Sequence, residues 1–193
     1  MKKRIRGPIM SIPTPFTADF AVDYEGVRKM VRLGQMHGIA IYELTAGNSQ
    51  YHALSYEEIK ELTRVLVEAV GGKGIVIAAT GPWWTGQAVD YARFAESVGA
   101  DAVQVMFPMG TSDGYVEHIR RIAANTRLGI VLQGEFTLSL LERLVQIPSV
   151  VSMKEDQGEK FYVDAQRRFG QRLAIFCGGQ KWRFLVAHPY GSN

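Results

Sequence analysis

Lys154 closes a short β-branched run, Ser149-Val150-Val151-Ser152-Met153, and is followed at once by Glu155, Asp156 and the turn residues Gln157-Gly158. A lysine delivered to the C-terminal end of a buried strand can do amine chemistry. Apolar walls disfavour the ammonium form, so part of the side chain becomes a free amine able to attack a carbonyl and form an imine. The competing reading is a strand-end lysine that is solvated or paired with Glu155 or Asp156, because charged residues commonly follow strands. On this run alone the second reading is the better one, and the rest of the chain decides.

Other chemistries find little support. His37, His52, His118 and His188 show no paired ligand spacing, and no His-x-His or Cys-x-x-Cys occurs, so no metal site is expected. The net charge of +3 depends on an N-terminal cluster, Lys2-Lys3-Arg4 and Arg6, and no later helix carries a sustained basic face with aromatics between. Nucleic acid is therefore not an expected partner. The basic start is followed by three prolines before residue 16 and no long apolar stretch, which predicts neither signal peptide nor membrane span. The single cysteine, Cys177, sits in the apolar run Leu173–Cys177 and reads as a small core residue. With no internal disulfide possible, a cytoplasmic location is the default expectation.

The elements that must position Lys154 follow a repeating plan. With 193 residues, 47% of them hydrophobic, the chain can bury a core as one domain over residues 1–193. Strands are predicted at Pro8–Ile12, Ile39–Leu44, Gly74–Ala79, Ala102–Met106, Gly129–Leu132, in the run ending at Lys154, and at Leu173–Cys177. Helices are predicted between them at Tyr24–His37, Ser55–Val70, Thr85–Val98, Tyr115–Asn125, Leu138–Gln146 and Phe161–Phe169, with another beginning over Lys181–Ala187. Ser55 and Glu58 have the spacing of a capping box, which marks the start of the second helix. The strands are near-continuous apolar runs, as a parallel sheet covered by helices requires. Strict alternation of this kind means an α/β fold, either a barrel or an open doubly wound sheet.

No glycine-rich nucleotide fingerprint follows the first strand. The polar and unusual residues gather instead after successive strands: Pro13-Thr14-Pro15-Phe16, the Thr45–Gln50 loop, Gly81-Pro82-Trp83-Trp84, Pro108-Met109-Gly110, Gln133-Gly134-Glu135 and Gly178-Gly179-Gln180. Loops converging at strand C-termini are what the active face of a (β/α)8 barrel needs. Gly178-Gly179-Gln180-Lys181 also has donors for a phosphate, though the same residues make a plain strand-to-helix turn. Adjacent Trp83 and Trp84 suit either a wall over a substrate or packing under a neighbouring helix or subunit.

Taken together, Pro13-Thr14-Pro15-Phe16, the glycine-containing loop leading into Leu54-Ser55-Tyr56-Glu57-Glu58, and Met153-Lys154-Glu155-Asp156 carry a resemblance. The chain resembles the dihydrodipicolinate synthase and N-acetylneuraminate lyase family of class I aldolases over nearly its whole length. The resemblance implies a TIM barrel in which Lys154 forms an imine with a 2-oxo acid such as pyruvate, without a cofactor, in a homodimer or homotetramer. It also implies that the loop after strand two binds the acid's carboxylate. The family's Gly-Thr-Thr-Gly-Glu pattern falls on Ala46, Gly47, Asn48, Ser49 and Gln50, so Gly47, Asn48 and Ser49 become candidate substrate ligands. Backbone N–H groups of a glycine turn and the Asn48 amide can still meet an anion; the alternative is an ordinary loop that uses Gly47 for a positive φ.

The departures from the family pattern are chemical. The tyrosine that ends strand five and shuttles protons is replaced by Gln133, which can hydrogen-bond to substrate but cannot act as a general acid or base. The tyrosine motif after strand four is Pro108-Met109-Gly110, and the first threonine of the relay is Gly47. Glu43, Glu135, Tyr42, Tyr51 and His52 are the candidates to replace these hydroxyls, with a structural role favoured for each. The chain also stops where the resemblance implies an eighth strand, about 60 residues short of a typical barrel, which reads as part of a longer protein. Two functions are thus expected: a Schiff-base aldolase or dehydratase acting on 2-oxo acids through Lys154, or a non-catalytic relative that binds a small carboxylic acid or serves as a subunit.

Overall fold

The computed structural model describes residues 5–106, 110–179 and 181–191. Seven parallel strands pair in strict chain order: β1 (Ile9–Ser11), β2 (Ile41–Glu43), β3 (Ile75–Ala79), β4 (Ala102–Met106), β5 (Gly129–Gln133), β6 (Val150–Glu155) and β7 (Ala174–Cys177). Between and after them run α1 (Tyr24–Met36), α2 (Tyr56–Val70), α3 (Thr85–Ser97), α4 (Ser112–Ala123), α5 (Leu138–Leu144), α6 (Glu159–Phe169) and α7 (Lys181–Ala187). This is the (β/α)8 barrel plan with seven β/α units present. Pro108, Met109 and Gln180 of the predicted loops lie outside the described residues.

Both faces of the sheet are buried, which explains the continuous apolar strands. Outward residues such as Val76, Val103, Leu132, Met153 and Ile175 pack under the helices in one large core. Inward residues form a second cluster in which Ile9 and Ile41 meet Ile77, Val131 and Phe176. That cluster joins the first strand to the last across the interior, so the sheet is curled. Its inward layer turns polar at the C-terminal ends of the strands, where Ser11, Glu43, Gln104, Gln133 and Lys154 stand.

Strand parity at β6 is broken once. Ile130 pairs with Val150 but Val131 pairs with Ser152, so Val151 is an extra residue, a bulge. Val150 faces the helices and so does Met153; strict alternation would put them on opposite faces. The extra residue restores Lys154 to the barrel interior, in register with Gln133 on one side and Phe176 on the other.

Local signals largely set the boundaries. The Ser55 and Glu58 capping box forms as the spacing predicts, and Gly71 closes α2 in the left-handed region at φ 58°. The fourth helix begins at Ser112, three residues before the predicted start, because the Thr111 side chain accepts from the Gly114 N–H and caps it. In the loop after β2, Tyr51–Ala53 adds a short 3-10 turn, and it is Gln50 rather than Gly47 that takes the left-handed backbone, at φ 55°.

Candidate active site

Lys154 enters the interior with its side chain only 12% exposed, and the Glu43 side chain, 5% exposed, faces it from β2. Glu43 Oε1 lies 3.9 Å from Lys154 Nζ, and Glu43 Oε2 is buried without a hydrogen-bond partner. Burial pushes the Glu43 carboxyl up to about 7; the Lys154 charge opposes this, and the Asp156 charge adds to it. A loosely paired lysine and a carboxyl whose pKa burial has raised therefore share one space.

That space is a cavity of about 590 Å³, within the usual range for small-molecule sites. Its walls include Ser11, Asn48 and Phe176 as well as Lys154 and Glu43, and it lies between β1 and β7, the two strands at the ends of the pairing order. Gly178 brings the β7 backbone close: a Cβ built there would stand 3.0 Å from Lys154 Cε. Cys177 is half-buried, packed against the outer core and also lining the cavity, so it is less enclosed than its apolar run predicts.

The residues singled out with Lys154 separate into two groups. Asn48 lines the same cavity, and its Nδ2 donates to Ser11 Oγ at 3.1 Å. Ser49 is fully buried and serves the loop itself: its hydroxyl donates to the Ile12 carbonyl at 2.7 Å and accepts from the Thr45 N–H, while its carbonyl accepts from the Thr14 hydroxyl. Pro13-Thr14-Pro15 is thereby tied to the second loop, a link the sequence shows only as two separate motifs. Gly47 is exposed and outside the cavity wall. Gln133 accepts from Gln104 Nε2 at 2.8 Å and lines a second recess of about 470 Å³ with Glu135, Asp156 and Gln157.

Of the residues considered as replacements for the missing hydroxyls, Glu43 alone meets the lysine. Tyr42 points outward and donates to the Ile39 carbonyl at 2.9 Å. Tyr51 is buried in the outer core, its ring 6.2 Å from that of Trp83. His52 and Glu135 are exposed, and Glu135 belongs to the second recess. Trp83 also meets Tyr56 and Tyr91 edge-on, which puts it under α2 and α3, whereas Trp84 is 73% exposed. Sequence reasoning missed the Glu155 and Arg183 pair, 2.7 Å apart, which fastens α7 beside the site. Among the described residues no group of His, Cys, Asp and Glu is placed to hold a metal ion. No helix among them is long and apolar enough to cross a membrane.

The model of the Dihydrodipicolinate synthetase family matches residues 4–192. A 4-hydroxy-tetrahydrodipicolinate synthase of Polynucleobacter asymbioticus is 28% identical over 192 residues, 92% of this chain and 62% of that protein. A probable 5-dehydro-4-deoxyglucarate dehydratase of Streptomyces coelicolor is 32% identical over 190 residues, 95% of this chain and 59% of the relative. The chain thus spans about three fifths of the length of these relatives. Among solved structures, dihydrodipicolinate synthase from Aquifex aeolicus superposes with a TM-score of 0.90 at 22% identity, over 97% of this chain and 68% of that one.

Proposed function

The chain belongs to the dihydrodipicolinate synthetase family, and from that premise we propose that it is a Schiff-base lyase, an aldolase or dehydratase, acting on pyruvate or a related 2-oxo acid through Lys154. The observation that carries this is the Lys154 side chain, nearly enclosed in a small-molecule-sized cavity at the C-terminal end of β6, with the Glu43 carboxyl 3.9 Å from its Nζ. Free amine attacks the ketone carbon of the acid, water leaves, and the imine draws electrons from the adjacent bond as it forms or breaks.

Asn48, on the same wall, supplies an amide donor for the acid's carboxylate, with Ser49 fixing the loop. Gln133, in register beside Lys154, is the proposed donor to the substrate's oxygen atoms. With Gln133 in place of a tyrosine, the site favours a divergent aldolase or dehydratase over dihydrodipicolinate synthesis. A similar dehydratase among the relatives supports that choice. A cytoplasmic homo-oligomer is part of the same proposal.

Reductive trapping tests it. The protein is incubated with pyruvate and a panel of other 2-oxo acids, reduced with borohydride, and weighed intact and as peptides. An adduct mapped to Lys154 is the expected result and names the acid class. No adduct with any acid leaves the lysine structural and makes binding of a small carboxylic acid, without catalysis, the better reading.

A further inference from the structure

We propose that Glu43 is the proton-transfer group of this site, giving a proton to the departing hydroxyl during imine formation and taking one from the substrate's C3 afterwards. The inference rests on Lys154 being the imine lysine and concerns what replaces the absent hydroxyl relay. Three observations lead to it. Glu43 is the acidic residue that enters the Lys154 cavity, its Oε1 is 3.9 Å from Nζ, and its Oε2 is buried with no partner. A carboxyl oxygen kept dry and unpaired is costly unless it is used or protonated.

The geometry suits the substrate atoms. In an imine on Nζ, the carbonyl carbon is one bond from the nitrogen and C3 is two, so both come within reach of a carboxyl whose Oε1 stands 3.9 Å from Nζ. Contacts of this kind tighten when the substrate is bound. The steps balance. Neutral Lys154 amine adds to the ketone to give a carbinolamine; the Glu43 acid protonates its hydroxyl, water departs, and an iminium and the Glu43 carboxylate remain. That carboxylate takes a C3 proton, giving the neutral enamine and restoring the acid. The enamine then adds to an electrophile or expels a leaving group.

A group that works in both directions must titrate near the working pH. Burial brings the Glu43 carboxyl there, at about 7. The charged and titratable groups around it are Lys154 and Asp156 from the end of β6, Arg6 ahead of β1, and Cys177 and His188 on the cavity wall. None of these makes a hydrogen bond to Glu43 among the described residues.

The test separates imine formation from proton transfer. Exchange of the pyruvate methyl protons in deuterium oxide is followed by NMR on the full chain, alongside borohydride trapping, for the wild type and Glu43→Gln. The expected result is that E43Q still traps pyruvate at Lys154 on long incubation but forms the imine more slowly, while exchange falls by about 100-fold or more, and the wild-type limb near pH 7 disappears. Exchange in E43Q within a few-fold of wild type overturns the inference and leaves the lyase reading standing. No adduct in the wild type overturns both. If E43Q fails to trap, Glu43→Asp decides: recovered trapping and exchange support the carboxyl's role, and failure of either overturns it.

Discussion

Arg183 Nη2 lies 2.7 Å from Glu155 Oε2, and this nearly dry pair bolts α7 to the strand end that carries Lys154. The same guanidinium donates through Nη1 to the Gly178 carbonyl at 3.2 Å, while Glu155 Oε1 accepts from the Gly158 N–H at 2.8 Å. One ion pair thus holds the ends of β6 and β7 together. Arg183→Met would leave a fully buried carboxylate without its cation. The expected loss is about 3 kcal/mol of unfolding free energy, read from the denaturant midpoint. A loss below about 1 kcal/mol would show that the backbone N–H groups suffice.

Gly178 is buried where the chain passes over Lys154. A methyl group there would sit 3.0 Å from Lys154 Cε and only 2.0 Å from Asp156 Oδ1. Asp156 is exposed and can swing away, whereas Lys154 has cavity walls around it. Gly178→Ala is therefore expected to slow trapping at Lys154 by roughly 10- to 100-fold, as small displacements of a reacting group do. The melting temperature should stay close to wild type. Unchanged trapping would mean that the lysine has more room than the packing indicates.

Glu43 makes stability depend on pH in a defined direction. Its carboxyl sits at about 7 in the folded chain against an ordinary 4.5, so the folded state holds this proton more tightly than the unfolded one. Its contribution is fully present below about pH 4.5 and is lost as pH rises through about 7. The shift corresponds to up to about 3 kcal/mol. Glu43→Gln, which cannot ionise, is expected to flatten the fall in unfolding free energy between pH 5 and 8. Parallel curves for the two proteins would show that Glu43 stays ionised throughout.

Ser49 makes a separate prediction about the loop. Its buried hydroxyl satisfies the Thr45 N–H and the Ile12 carbonyl at once. Ser49→Ala would strand both and cost about 1–3 kcal/mol, with weaker binding of the acid as the Asn48 loop loosens. Denaturant unfolding and the pyruvate concentration for half-maximal trapping measure the two effects; a stable variant with unchanged half-saturation would remove Ser49 from the site's support.

Much of this protein follows from the sequence alone. Alternating apolar runs and amphipathic stretches dictate β/α units, because a parallel strand buried on both faces has no polar side to display. The Ser55 and Glu58 box is a local signal, satisfied within a turn, and it appears where the spacing puts it, while the helices at Thr85 and Lys181 begin at the residues predicted for them. Lys154 stands out for the same reason: its type, its strand and its neighbours are contiguous.

What tertiary structure decided is which side chains meet. Glu43 and Lys154 are far apart in the chain, and only curling of the sheet sets β2 opposite β6. Tyr42, its immediate neighbour, faces the helices, a difference of one residue that follows from strand parity. The bulge at Val151 is the sharper case. Counted by strict alternation from Val150, Lys154 belongs on the helix-covered face; the extra residue in the ladder turns it into the barrel. A bulge is fixed by pairing with the neighbouring strand, and pairing partners are not written in any local stretch of sequence.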